Sequence, residues 1–317
     1  MPEHALQQTV LDLIAEEDLP ATYADTVQQT LLPLANHILA LHRSKQRPVV
    51  VGIHGAQGTG KSTLTLFLRE ILSRHYATGT ANFSLDDLYL TRAERQDLAE
   101  RVHPLFITRG VPGTHDLALG QQVVDRLSSA GPEDQTPIPA FDKARDDRVP
   151  ETDWPVFEGR ADVILIEGWC LGAMPEEAAA LAAPVNRLES EEDPDGTWRG
   201  YVNQCLKGEY RDFFGQLDCL VMLKAPSMDC VLEWRRLQEK KLARKSGADL
   251  ERDAPEQGVA SGGVQNLRIM SEAEVARFVM HYERVTRACL AEMPGRADVL
   301  IEVAEDHSLG LPQFRSD

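Results

Sequence analysis

The segment Gly55-Ala56-Gln57-Gly58-Thr59-Gly60-Lys61-Ser62 restricts what this chain can fold into more than any other stretch. It completes the pattern G-x-x-x-x-G-K-[ST] two residues after the apolar, β-branched run Val49-Val50-Val51-Gly52-Ile53, and a helix is predicted from about Lys61 to Arg74. A chain that leaves a buried strand, curls through glycines and enters a helix turns successive N–H groups and the helix N-terminus toward one point. That point suits phosphate oxygens. Lys61 then reaches the β- and γ-phosphates and the Ser62 hydroxyl can bind Mg²⁺. Gly55, Ala56, Gln57, Gly58, Thr59, Gly60, Lys61, Ser62 and Thr63 form the expected nucleotide-binding set.

Four more short apolar runs share the character of the first: Ala81 to Leu85, Ala161 to Ile166, Leu217 to Leu223 and Ala297 to Val303. Helical patterns separate them, which implies right-handed βαβ crossovers and a strand buried on both faces each time. The expected fold class is therefore α/β, a three-layer P-loop NTP hydrolase fold with a five-stranded, mainly parallel sheet. Ahead of it, residues 5 to 17 and 22 to 42 read as two helices. In the second, Tyr23, Val27, Leu31, Leu34, Ile38 and Leu41 recur every three or four residues and Pro33 marks a kink or restart. The expected division is a helical extension over 1–46 and a kinase-like domain over 47–317. Gly131 to Pro155, with five prolines and many charges, reads as a long ordered loop or lid, and Arg187 to Arg199, with five acids, as a solvated turn. There is no internal repeat.

Composition removes several classes of partner. Lys and Arg total 33 against 50 Asp and Glu, so the net charge is −17, which repels a phosphodiester backbone or an anionic membrane. Neither nucleic acid nor membrane is an expected partner. Cys170, Cys205, Cys219, Cys230 and Cys289 lack C-x-x-C spacing and are odd in number, against a disulfide framework or a zinc cluster. No h-region follows Met1, no apolar run approaches the ~18 residues that span a bilayer, and a reducing cytoplasm is the expected location.

Two acids stand at strand ends. Val163-Ile164-Leu165-Ile166-Glu167 finishes a buried run on a carboxylate, and in a doubly wound sheet the carboxyl ends of neighbouring strands share one crevice. Glu167 is thus expected to face the P-loop and hold Mg²⁺ directly or through water. Ser84-Leu85-Asp86-Asp87-Leu88-Tyr89 follows the second run at the same edge, where Asp86 can accept the proton of an attacking hydroxyl. An Asx turn or helix N-cap is the other role open to an acid there.

Together the P-loop, Ser84-Leu85-Asp86-Asp87-Leu88-Tyr89-Leu90-Thr91-Arg92, Arg109-Gly110-Val111-Pro112-Gly113-Thr114-His115-Asp116, Pro139-Ala140-Phe141-Asp142-Lys143 and Glu167-Gly168-Trp169 resemble the D-glycerate 3-kinase family. The resemblance runs from about Pro48 to Val303, and related P-loop kinases act on uridine, phosphoribulose and pantothenate. Their shared D-x-[FL]-[YH] element carries the base, which the resemblance places on Asp86 rather than Asp87. By position it implies an acceptor pocket drawn from Tyr89, Arg109, His115, Asp116, Phe141, Asp142, Lys143 and Arg148. A planar guanidinium such as Arg109 binds carboxylates bidentately, and glycerate is a carboxylate with two hydroxyls.

From Trp234 to Lys245 the chain carries Arg235, Arg236, Lys240, Lys241, Arg244 and Lys245 against one acid, Glu239. Their place after the fourth strand suits a cationic lid, approximately residues 233–265, with Arg235 and Arg236 offsetting charge on the transferred phosphoryl group. Gly247 to Val264 is expected to be mobile. Ser261-Gly262-Gly263-Val264-Gln265 resembles a transport-ATPase signature but follows Glu167 instead of preceding it, so it reads as a connection between lid and helix. The expected reaction is transfer of the γ-phosphate of ATP, with Mg²⁺, to a small hydroxylated metabolite, D-glycerate first, by a monomer or homodimer. The rivals are a nucleoside or pantothenate kinase and an acceptor-independent NTPase switch or assembly factor. Leu223-Lys224-Ala225-Pro226 stands where a guanine-reading N-K-x-D would fall, which favours ATP over GTP.

Overall fold

The computed structural model describes residues 2–252 and 270–315. Its central sheet is built from β1 (Val49–Gly55), β2 (Thr80–Ser84), β7 (Val163–Gly168), β8 (Cys219–Lys224), β9 (Val299–Glu302) and β10 (Gln313–Phe314). The spatial order is β10-β9-β8-β1-β7-β2. Five strands run parallel and the two-residue β10 closes the edge antiparallel to β9. Between β2 and β7 the chain makes two small antiparallel pairs, β3 (Gln135–Pro137) with β6 (Val156–Glu158) and β4 (Phe141–Asp142) with β5 (Asp147–Arg148).

Successive residues of each central strand point to opposite faces. Val49, Val51, Ile53, Val163, Leu165, Cys219 and Val221 enter one buried cluster, while Val50, Ile164, Ile166, Leu220 and Met222 enter the other. The first cluster is covered by α1 (Pro2–Glu16), α3 (Leu32–Lys45) and α4 (Lys61–Glu70), through residues such as Leu13, Ile38 and Phe67. The short α2 (Tyr23–Thr26) leads into α3. On the other face lie α5 (Arg92–Arg101), α6 (Leu117–Ser129), α7 (Arg187–Glu192), α8 (Thr197–Lys207), α9 (Glu209–Phe214) and α11 (Glu272–Glu292), contributing Leu98, Val123, Leu188, Trp198, Tyr210 and Val285. The remaining helix, α10 (Met228–Arg252), follows β8 and packs against α11. Two buried layers around one sheet explain why the central strands tolerate no polar alternation.

Two local expectations are refined and a third changes. The helix expected over 22–42 is interrupted by a π-turn at Val27–Leu31 before α3 begins with Pro33 in its first turn, because proline brings no N–H and cannot continue the bonding of the preceding turn. The Gly131–Pro155 stretch is ordered by β3, β4, β5 and a short 3₁₀ turn. Arg187–Arg199 is not a solvated turn. Glu189 and Asp193 are fully buried there, the first bonded by Arg284 of α11 at 2.7 and 2.8 Å and the second by Arg199 at 2.9 Å. These two acids are neutralised by arginines inside the fold, while Glu191, Glu192 and Asp195 stay exposed. Among the described residues no helix is long and apolar enough to cross a membrane.

Three histidines are buried as neutral rings. Burial pushes His54 down to about 3, and His115 and His281 to about 4, against an ordinary value of 6.5. As pH falls through that interval the unfolded chain binds protons that the folded one refuses, so stability is present above 6.5 and is lost progressively below it. Urea unfolding midpoints are expected to fall steadily from about pH 7 to about pH 4; a flat profile would show that these rings charge without cost.

Candidate active site

The loop after β1 turns at Gly58 and Gly60, both at φ 83°, before α4 starts at Lys61. A Cβ on Gly58 would lie 2.5 Å from Cβ of Trp234, so only glycine lets α10 press on the loop at this point. His307 joins the contact, its Nδ1 3.0 Å from the Gly58 carbonyl oxygen and its ring 4.7 Å from that of Trp234. Gln57, Gly58, Lys61 and Ser62 open onto a cavity of about 320 Å³.

Glu167 reaches this loop from β7, which lies between β1 and β2 with Glu167 level with Ile53 and Ser84. Its Oε1 accepts from the Ser62 hydroxyl at 2.8 Å, and its Oε2 lies 3.8 Å from Lys61 Nζ, buried and without a hydrogen-bond partner. A hard cation takes such oxygens, and Mg²⁺ ordinarily uses one or two carboxylates and keeps its other positions for water and phosphate. The Ser62–Glu167 pair fits that requirement. Among the described residues no cluster of three or more His, Cys, Asp or Glu forms a self-sufficient metal cage.

Asp86 and Asp87 follow β2 in one 3₁₀ turn yet do different things. Asp87 accepts from the Ser84 N–H at 3.0 Å as half of a capping box, and burial pushes its carboxyl up to about 6. Asp86 faces the cavity, where Tyr89 donates to its Oδ1 at 2.6 Å and Lys143 to its Oδ2 at 2.7 Å. Burial alone would raise the Asp86 carboxyl, but the charges of Lys143 and Lys61 and these hydrogen bonds hold it below the usual range. It is an ionised acceptor throughout the neutral range.

The cavity wall carries Lys61, Arg109, Lys143 and Arg235 against the acids Asp86 and Glu167. In a chain of charge −17 this is a local reversal of sign, which concentrates anions at the P-loop. Arg109 is paired with Asp146 and lies over the Phe141 ring at 5.4 Å. Arg235 pairs with Glu239 at 2.9 Å and lies over Phe278 at 5.4 Å. Aromatic faces from Tyr89, Trp169, Phe278 and Tyr282 complete the wall.

Several expected site residues are placed elsewhere. His115 is buried, with Nδ1 2.6 Å from the Tyr210 hydroxyl and its ring against Tyr89. Asp116 caps α6 through the Leu119 N–H and pairs with Arg148, which also donates to the Tyr89 carbonyl. Asp142 accepts from the N–H groups of Ala144 and Arg145 in its own turn, and Phe141 lies under Arg109. Arg236 bonds Glu233 and is absent from the cavity wall. These residues shape the site from behind. The side chains of Lys241, Arg244 and Lys245, and the Ser261–Gln265 segment, lie outside the described residues, as does the 253–264 part of the stretch expected to be mobile; Gly247 to Arg252 continue α10.

Sequence reasoning missed Arg95, Asp146, Phe278 and Tyr282. Arg95 is fully buried, donates to the carbonyls of Leu90, Ile107 and Asp146, and bonds the Asp146 carboxylate at 2.9 Å. It fixes the acid that holds Arg109. The signal available was weak, one of three arginines in a charged helix.

No family model matches the chain. An uncharacterized kinase of Schizosaccharomyces pombe, mug58, is 32% identical over 243 residues, 74% of this chain and 79% of that one. The chain belongs to this family of P-loop kinases. A chloroplastic D-glycerate 3-kinase of Arabidopsis thaliana is 33% identical over 223 residues, 66% of this chain but only 46% of the plant protein. In structure, a D-glycerate 3-kinase of Cryptococcus neoformans superposes with a TM-score of 0.70 at 24% identity, covering 90% of this chain and 99% of that one, which supports the P-loop kinase fold. This kinase therefore transfers phosphoryl groups to a small molecule, and the geometry above belongs to a phosphotransferase.

Proposed function

We propose that this kinase transfers the γ-phosphoryl group of ATP to D-glycerate, giving 3-phosphoglycerate and ADP. The observation that supports it best is the joint presence, in one cavity of about 320 Å³, of the ionised Asp86 and of Arg109 and Lys143 opposite the P-loop. The acceptor's carboxylate takes the free donors of Arg109, whose fork has five N–H groups and is only partly used by Asp146. Its terminal hydroxyl is oriented by Asp86, which receives the proton as the oxygen bonds to the γ-phosphorus and the bond to the β-phosphate oxygen breaks. Lys61 and Arg235 lie on the same wall to offset charge on the phosphoryl oxygens. Ser62 and Glu167 would hold Mg²⁺, which supplies further neutralisation of the phosphates.

The base of the nucleotide belongs in a neighbouring cavity of about 530 Å³ at the ends of β8 and β9, lined by Lys224, Ala225, Pro226 and residues 302–305 and 308–310. Though larger, this cavity has a single side-chain ion pair among the described residues, Lys224 with Glu302, and the cations that face the P-loop line the other cavity. His307 and Trp234 tie its rim to Gly58. Glycerol offers the same hydroxyls without the carboxylate and separates this reading from a general alcohol kinase. D-Glycerate is expected to exceed glycerol by at least about thirtyfold in kcat/KM, the effect of losing a charge-assisted contact between the acceptor's carboxylate and the half-buried Arg109 guanidinium. Preference for pantothenate or a nucleoside in the same panel would replace the acceptor and leave the kinase assignment standing.

A further inference from the structure

Arg109 presents its side chain to the cavity, and its main chain is held just as closely. Tyr282 of α11 donates its hydroxyl to the Arg109 carbonyl at 2.9 Å, and Trp169, just after β7, donates its indole N–H to the next carbonyl, that of Gly110, also at 2.9 Å. The Gly110 N–H in turn donates to the Thr114 hydroxyl at 2.9 Å. Gly110 sits at φ 126°, and a Cβ there would lie 2.2 Å from the Tyr282 oxygen, so the turn is shaped to receive that hydroxyl. The two rings meet edge to face at 4.8 Å, and both are almost completely buried, so neither donor finds competing water. Arg109, Trp169 and Tyr282 all open onto the one cavity.

We infer that Tyr282, with Trp169, is a positioning residue for the acceptor: it fixes the Arg109–Gly110 peptide so that the guanidinium meets the substrate's carboxylate without a search. The role rests on the proposed reading of Arg109. Tyr282 takes no proton and touches no phosphate in this scheme; burial keeps its phenol above its ordinary value and therefore a donor. Asp146 and Phe141 hold the guanidinium end of the same residue, so Tyr282 supplies the other end of a two-point restraint. A one-point restraint leaves the long side chain free to rotate about its backbone, which costs binding of the group it should meet.

Tyr282→Phe removes one oxygen and keeps the ring against Trp169 and Phe278. With ATP and Mg²⁺, the variant is expected to raise KM for D-glycerate about five- to tenfold while KM for ATP stays within about twofold and the melting temperature falls by only a few degrees. Trp169→Phe is expected to act in the same direction. Equal rises in both KM values, or no change in either, would overturn the role. Turnover of D-glycerate by the unaltered kinase in the same experiment reports separately on the acceptor. A crystal structure of Tyr282→Phe tests the positioning with no acceptor at all: Arg109 displaced from the cavity supports it, and Arg109 in place overturns it.

Discussion

Replacing Lys61 with alanine is expected to lower phosphoryl transfer at least about a thousandfold, on the scale found when a preorganised charge is removed from a transition state. Among the described residues the Lys61 ammonium has one ion-pair partner, Glu167 at 3.8 Å, and it stands at the first residue of α4, facing the cavity and not the core. The fold therefore depends little on it, and the melting temperature should stay close to that of the parent. Folded Lys61→Ala with near-normal turnover would remove the P-loop from the reaction.

Asp86→Asn is the second large effect. General-base assistance contributes about 10²–10⁴ in rate, roughly 3–5 kcal/mol of barrier. An amide has the same outline, but it takes no proton and turns an N–H₂ toward either Tyr89 or Lys143. A fall of at least about a hundredfold in kcat is expected, with KM for ATP little changed. The neighbouring carboxylate is the internal control: Asp87→Asn keeps an oxygen for the Ser84 N–H, so the capping box survives and kcat should fall far less. If Asp87→Asn were the more damaging change and Asp86→Asn near normal, the base would have been placed one residue too early.

The nucleotide side of this site was legible because its information is local. Gly55 to Ser62 specify a loop by spacing, and Glu167 is marked by the apolar run that precedes it, so β1 and β7 needed only to lie side by side, as parallel pairing of buried strands makes them. The surroundings of Arg109 are assembled from distant pieces. Arg109 meets Asp146, 37 positions on, and Tyr282, 173 positions on, and neither partner stands out in a charged turn or an amphipathic helix. For the same reason the partners of His115 and Arg148, which are Tyr210 and the Tyr89 carbonyl, could not be read from their neighbours in the sequence. Local charge was equally misleading at Glu189 and Asp193, whose arginines come from α11 and α8.

Release of ADP from ATP and Mg²⁺ by the purified protein, measured with and without D-glycerate, tests the central claim most directly. A cavity in which Asp86 and Arg109 await an acidic alcohol predicts near silence without the acid and one phosphoglycerate per ADP with it. ADP release at the same rate with and without D-glycerate, and no phosphorylated acid, would contradict it and point instead to nucleotide hydrolysis for its own sake.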